Sequence, residues 1–319
     1  MCWLNGMKKT KILIILIALF FLICIPLSSA GNNHIKNICT KTLESKTSEK
    51  ILTNKNYDND SVIIICGGRG KGDPCQQVFE NSANHAYKTF KSLSYSDEDI
   101  TYLCSNISSN GVDSTDTIDN ISNAITNWLS GRMNNDSNYF IFIIDHGDEL
   151  TGRIKVSDGY IYPLDLKRWL DTVNCYKTGI ILISSCYSGK FIPYLTNPKR
   201  IIMTDTDDSH KGFDNFYESI FQKAFFDELE KRVSYGKAWM AGDKSQDRVL
   251  HYIYIPGMKQ YFKYKHSELY ERFNTLRMWW FFYWMYWQIG FGLGNSLIDD
   301  NGDGIGHGTW RIDRLPINI

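Results

Sequence analysis

Three stretches of this chain are apolar at nearly every step: 62–66 (Val-Ile-Ile-Ile-Cys), 139–144 and 179–183. Successive side chains of a strand point to opposite faces, so a strand written this way is buried on both. A mostly parallel sheet with helices packed on each side meets that condition, and few other arrangements do. Residues 100–104 and 200–203 read as two shorter strands of the same sheet. The segments between them carry the helical period. Phe79, Ala83, Ala86, Phe90 and Leu93 follow at alternating steps of four and three, with Asp73-Pro74 ahead of them as N-cap and first-turn proline. Ile118, Ile121, Ile125, Trp128 and Leu129 predict a second helix, stopped by Gly131. Leu166, Trp169, Leu170 and Val173 predict a short third one. Phe213, Phe216, Ile220, Phe221 and Ala224 predict a longer one over 213–233. No segment repeats another. One α/β domain over 61–245 accounts for the pattern, preceded by an Asn-, Lys-, Thr- and Ser-rich lead-in at 31–60.

In an open parallel sheet, ligands bind beyond the carboxyl ends of the strands. The strand at 139–144 runs into Asp145-His146-Gly147, and the strand at 179–183 into Ser184-Ser185-Cys186-Tyr187-Ser188-Gly189. If those strands are neighbours, an imidazole and a thiol face each other across about 5–10 Å, one or two strand spacings. That pairing is what a cysteine nucleophile requires, because the thiolate reacts and a nearby base generates it. Gly147 admits a substrate carbonyl close to the backbone, and its N–H with that of Cys186 forms a candidate oxyanion site.

The segments FIFIIDHGDEL and, some forty residues on, GIILISSCYSG resemble the legumain family of cysteine peptidases, within the caspase-like clan. VIIICGG as a first strand, NHAYKTF in the first helix and DEDITYL at the second strand agree with it, so the resemblance spans 61–245. It implies a caspase-like α/β fold, a Cys186–His146 dyad, Gly147 at the oxyanion site, and no metal in the chemistry. Legumain carries an Arg-His pair ahead of its His-Ala-Tyr segment, where this chain has Val78 and Phe79, and an acid after the cysteine, where this chain has Tyr187. The family's asparagine preference therefore does not carry over. Asp207 and Asp208 lie in the loop bordering the specificity pocket in this family; a solvated acidic turn is the first reading of them, and a pocket that favours a Lys or Arg side chain by charge pairing the second.

Compartment is read from the N-terminus. Residues 8–11 hold three lysines, 12–25 are apolar and 26–30 end in small residues, the layout of a secretory signal peptide over 1–30 or of an N-terminal anchor. The expected location is extracytoplasmic, secreted or membrane-anchored through that segment. Without the leader the chain has 32 basic and 35 acidic residues and no basic stripe, which sets nucleic acid aside as a partner. Six cysteines follow the leader at irregular spacings with no CxxC pair, so neither a zinc knuckle nor a dense disulfide scaffold is signalled. Asn106, Asn120 and Asn135 begin N-x-S sequons, in keeping with surface loops of an exported chain.

Three signals carry less than they suggest. GGRGKG after the first strand places Asp73 where a dinucleotide fingerprint needs glycine, so it reads as a rim loop of the cleft. Asp299, Asn301 and Asp303 sit at calcium-loop positions one, three and five with Gly304 at six, but Trp310 replaces the closing Glu; calcium or a plain turn fits. Residues 278–298 are uncharged and rich in Trp, Tyr and Phe, which suits core packing first and a membrane contact second. They belong to an aromatic extension over 246–319, outside the resemblance, which is a candidate cover for the cleft, trimmed by the enzyme itself at 299–304. The expected activity is that of an exported cysteine endopeptidase acting on peptide or protein substrates. A transpeptidase using the same acyl-enzyme and a non-catalytic binding module on the same scaffold are the alternatives.

Overall fold

The computed structural model describes residues 60–68, 72–212, 217–249 and 296–308. The leader, the lead-in, the tip of the glycine-rich loop and most of the aromatic extension, with the membrane contacts expected of them, lie outside the described residues. Along the chain run β1 (Ser61–Cys66), α1 (Gln76–Ser92), β2 (Ile100–Cys104), α2 (Ile118–Asn123), β3 (Asn138–Ile144), β4 (Ile154–Val156) and β5 (Gly159–Ile161). Then come α3 (Pro163–Leu170), β6 (Thr178–Ser184), α4 (Ile192–Leu195), β7 (Arg200–Thr204), α5 (Ile220–Leu229), α6 (Tyr235–Val249) and β8 (Leu297–Asp299). The helix α2 continues through a π-helical stretch, Ala124–Leu129, and a last turn, Ser130–Arg132, so Gly131 lies inside its end and does not stop it.

The strands form one sheet in the order β2-β1-β3-β6-β7-β8, parallel but for the edge strand β8. Its composition follows from the apolar runs. Along β1, β3 and β6, alternate residues serve opposite faces, and all but Thr178 at the start of β6 are buried. Ile64, Phe140, Phe142 and Leu182 pack with Phe79 and Phe90 of α1, Phe225 of α5 and Trp239 of α6. Ile63, Ile65, Ile141, Ile143 and Ile181 pack with Ile121 and Ile125, with Leu166 and Leu170 of α3 and with Ile192 of α4. The mostly parallel sheet covered on both faces is thus the fold the sequence requires.

Three expectations change. The helix placed at 213–233 spans Ile220–Leu229; Tyr217 to Ser219 are not helical, and 213–216 lie outside the described residues. A further helix, Tyr235–Val249, follows where none was read. The extension is not wholly outside the catalytic sheet: Leu297–Asp299 pairs antiparallel with β7, Met203 opposite Ile298. Among the described residues no helix is long and apolar enough to cross a membrane.

Candidate active site

The register of β3 on β6 sets Ile144 opposite Ser184, so the residues two further along, His146 and Cys186, leave the sheet side by side. The Asp145 N–H donates to the Ser184 carbonyl at 3.1 Å and carries the pairing one step beyond the strands. Next comes Gly147, whose Cα lies so close to the cysteine turn that a Cβ there would sit 2.0 Å from the Cys186 carbonyl oxygen. Only glycine fits. The expected triplet His146, Gly147 and Cys186 is therefore brought together at one sheet end.

The cysteine turn is held from beneath by Asp205, a buried carboxylate just past β7. It accepts hydrogen bonds from Ser184 Oγ (2.7 Å), the Ser185 N–H (3.2 Å), Ser188 Oγ (3.0 Å) and Gln222 Nε2 (3.3 Å). Thr206 Oγ1 accepts the Ser188 N–H at 3.0 Å. Tyr187, directly after the thiol, takes the left-handed conformation (φ 60°, ψ 26°), which non-glycine residues adopt at a cost of about 1–2 kcal/mol. Its N–H donates to the His210 carbonyl at 2.8 Å, one of the bonds that offset that cost. Burial also pushes the Tyr187 phenol upward, helped by the nearby charges of Glu149 and Cys186.

The imidazole has a partner the sequence did not disclose. His146 Nε2 lies 2.8 Å from Asp73 Oδ2; the Asp73 side chain is 1% exposed and that of His146 28%. Asp73 was expected as the N-cap of the first helix. The structure starts α1 two residues later than that reading has it, with Cys75 at the N-cap. Asp73 Oδ1 accepts the Cys75 N–H at 2.9 Å, and this small turn leaves Oδ2 for the imidazole. A carboxylate only accepts, so Nε2 carries the proton of this bond, and neutral His146 keeps its lone pair on Nδ1. The Phe79 ring packs edge-on against the imidazole at 4.9 Å. The Lys155 N–H donates to the His146 carbonyl at 3.0 Å and ties the β4–β5 hairpin to the same point.

Between β3 and His146 sits Asp145, 2% exposed, with Oδ1 accepting the His146 N–H at 2.5 Å. Burial holds its carboxyl well above the usual carboxylate range, against the pull of that hydrogen bond; the charges of Asp116 and Asp73 push the same way as burial.

Asp207 and Asp208 border the cysteine turn, where the Asp207 carbonyl accepts the Gly189 N–H at 3.3 Å. The Asp207 carboxylate is engaged by His210 Nδ1 (2.7 Å) and by the Ser209 N–H (2.9 Å), whereas Asp208 is exposed. Asp299, Asn301 and Asp303 lie far along the chain at the β8 edge. Asp299 accepts the N–H groups of Gly302 (2.9 Å) and Gly304 (3.1 Å), Asn301 that of Asp303 (3.1 Å), and Asp303 that of Ile305 (2.8 Å). They form a turn held by its own side chains, two carboxylates and one carboxamide.

The described cysteines, Cys66, Cys75, Cys104, Cys175 and Cys186, form no disulfide; Cys66 and Cys104 face each other in register across β1 and β2.

The sequence model of the peptidase C13 family, the legumain family, matches residues 126–272, a stretch that holds both strand ends. The segment carrying His146 and Cys186 is similar to peptidase C13 sequences, over somewhat less than half of the chain. C13 is the family the two motifs resembled, and a family of cysteine peptidases. The C13 match extends to 272, beyond the limit of 245 expected for the domain, and so takes in α6. No curated protein matches the chain. Among solved structures, caspase-1 from Spodoptera frugiperda is similar over 59% of this chain and 76% of that one, at 14% identity and a TM-score of 0.44.

Proposed function

We propose that this chain is an exported cysteine endopeptidase of the C13 type in which Cys186 is the nucleophile and His146 its base. The observation that carries the reading is the pairing of the two strand ends, with Gly147 pressed against the Cys186 carbonyl and His146 tethered through Nε2 to Asp73. His146 Nδ1 takes the thiol proton, and the Cys186 sulfur attacks the peptide carbonyl. The developing oxyanion is met by the N–H groups of Gly147 and Cys186. The imidazolium then protonates the leaving amine, and water, deprotonated by the same Nδ1, releases the acyl group. Asp73 stabilises the imidazolium through both steps. The leader layout at 1–30 supports action outside the cytoplasm. Of the two pocket acids, Asp208 is the exposed one, and its position beside the cysteine turn favours Lys or Arg ahead of the scissile bond.

The test is a peptide-library cleavage profile of the full chain beside Cys186→Ala and His146→Ala. Cleavage by the wild type that each substitution reduces at least a thousandfold is expected, since nucleophile and base act as a unit. Equal cleavage by Cys186→Ala overturns the proposal. A profile dominated by Asn or Asp, unchanged in Asp208→Asn, overturns the specificity reading alone.

A further inference from the structure

Among the described residues, one group of His, Cys, Asp or Glu side chains offers three donor atoms within 4.8 Å of one another: Asp73, Cys75 and His146. Two of the three already touch, through the 2.8 Å contact of Asp73 Oδ2 with His146 Nε2. The third is fixed beside them, because Asp73 Oδ1 holds the Cys75 N–H at the start of α1. The Asp73 carboxylate is buried, but the His146 side chain is 28% exposed and Cys75 is half-buried, so a small ion has an approach to the site from their side.

A tetrahedral zinc site holds its N, O and S donors about 2.0–2.3 Å from the ion, hence about 3.3–3.7 Å from one another. The His–Asp contact, at 2.8 Å, lies below that spacing, and no pair of donors is more than 4.8 Å apart. The His–Asp contact must open by somewhat less than about 1 Å and the Cys75 sulfur need close by no more than about 1.5 Å, within the reach of side-chain rotation. One thiolate, one imidazole and one carboxylate, with a fourth position left to water, suit a borderline divalent cation such as Zn²⁺ and not the oxygen-seeking Ca²⁺ or Mg²⁺.

The geometry points to a regulatory zinc site built from Asp73, Cys75 and His146, which inhibits the peptidase by taking its base. The inhibition rests on the function proposed above; the metal site does not. When Zn²⁺ binds, the Cys75 thiol loses its proton to solvent, and the ion replaces the proton on Nε2. A neutral metal-bound imidazole then carries its one proton on Nδ1, the atom that must be bare to accept the proton of Cys186. The Cys186 thiol is untouched, yet it has no base. Chelation restores the Nε2–H···Asp73 bond and with it the active tautomer.

The metal arm of the test uses the full chain carrying Cys186→Ala, titrated with Co²⁺ alone. A thiolate-to-cobalt charge-transfer band saturating at one ion per chain, and abolished by added Zn²⁺, is expected. Adding Cys75→Ser removes the band, adding His146→Ala also removes it, and adding Asp73→Asn raises the half-saturating concentration at least tenfold, with unchanged circular dichroism in each. No band, or a band that survives Cys75→Ser, overturns the site. In the activity arm, each protein's rate in zinc is divided by its own rate in EDTA. Cys75→Ser is expected to raise the half-inhibiting zinc concentration at least tenfold; an equal value in both proteins means that zinc acts on another group and overturns the regulatory role. If the chain cleaves no peptide at all, the function proposal fails while the cobalt titration still decides the metal site.

Discussion

Removing the Asp73 carboxylate tests the architecture of the site at its least obvious point. In the wild type, a nearly fully buried carboxylate meets a partly buried imidazole at 2.8 Å, and in the proposed mechanism that imidazole becomes a cation at each proton transfer. A hydrogen bond between charged partners is worth about 1.5–3 kcal/mol, and each 1.36 kcal/mol of lost transition-state stabilisation is about tenfold in rate. Asp73→Asn keeps an acceptor oxygen for Nε2–H but loses the charge, so the lower figure applies: kcat/KM should fall about tenfold. Asp73→Ala removes acceptor and charge together and frees the ring to turn, so the fall should approach about 150-fold. Alkylation of the Cys186 thiol by iodoacetamide should slow in the same order, because it reads the base without any substrate.

The assay is steady-state cleavage of a fluorogenic peptide with both variants, alongside the alkylation rate and a thermal melt. Asp73→Ala also loses the acceptor for the Cys75 N–H, so a lowered melting temperature is expected in that variant and not by itself informative. The informative pair is the alkylation rate and kcat in the folded protein. If folded Asp73→Ala matches the wild type in both, the imidazole is held by something else and the argument from the 2.8 Å contact is wrong.

Asp205→Ala should leave the hydroxyls of Ser184 and Ser188 and the Ser185 N–H without their acceptor, costing about 3 kcal/mol or more in chemical denaturation and sharply slowing Cys186 alkylation. A variant as stable and as reactive as the wild type would show that the turn is held without it. Gly147→Ala must displace the Cys186 carbonyl, from which the new Cβ would lie 2.0 Å away; misplacing the nucleophile on this scale costs about a hundredfold, so kcat/KM should drop by that order with little change in fold. Asp145→Asn tests the buried acid. Because burial raises its folded pKa, the wild type loses stability as pH rises from about 4, the ordinary carboxylate value, through the native one. The Asn variant should show a flatter stability–pH curve and gain relative to the wild type at neutral pH; parallel curves would mean the carboxyl is not held protonated.

What could be read in advance followed from burial. The strands were legible because every position of β1, β3 and β6 but Thr178 is buried, and His146 and Cys186 were legible because they follow two such strands. The helix α6 was not, because its buried face is written in small and polar residues: Ala238, Gly242, Asp243 and Gln246 stand beside a single Trp239. The edge strand β8 has three residues and pairs with β7 across some ninety residues of sequence, which no local pattern records. Asp73 carried a true but incomplete signal. A capping-type residue before a proline describes one of its oxygens, Oδ1 on the Cys75 N–H; the other is explained by the order of the sheet, which places the loop after β1 next to the end of β3. Cys75 had no signal at all.

The edge strand also bears on whether the extension can be shed. A removable cover should lie over the fold and leave it whole when cut away. Leu297–Asp299 instead closes the β7 edge, Ile298 is in the core at 5% exposure, and Ser296 hydrogen-bonds Asp243 of α6. A chain ending at residue 295 would lose the burial of Ile298, about 2–3 kcal/mol of hydrophobic stabilisation, and would bare the N–H and C=O groups of β7 to other chains. It should melt at a lower temperature than the full chain and aggregate as its concentration rises. A cut within 299–304 is different: it falls after the strand, and the piece beyond it is still held by the paired bonds between Ile298 and His307. If the chain trims itself there, incubation should nick the wild type and not Cys186→Ala, with the fragments staying associated on gel filtration until denatured. A chain truncated at 295 that is as stable as the full chain, monomeric and more active would reverse this conclusion and make the last strand part of a cover.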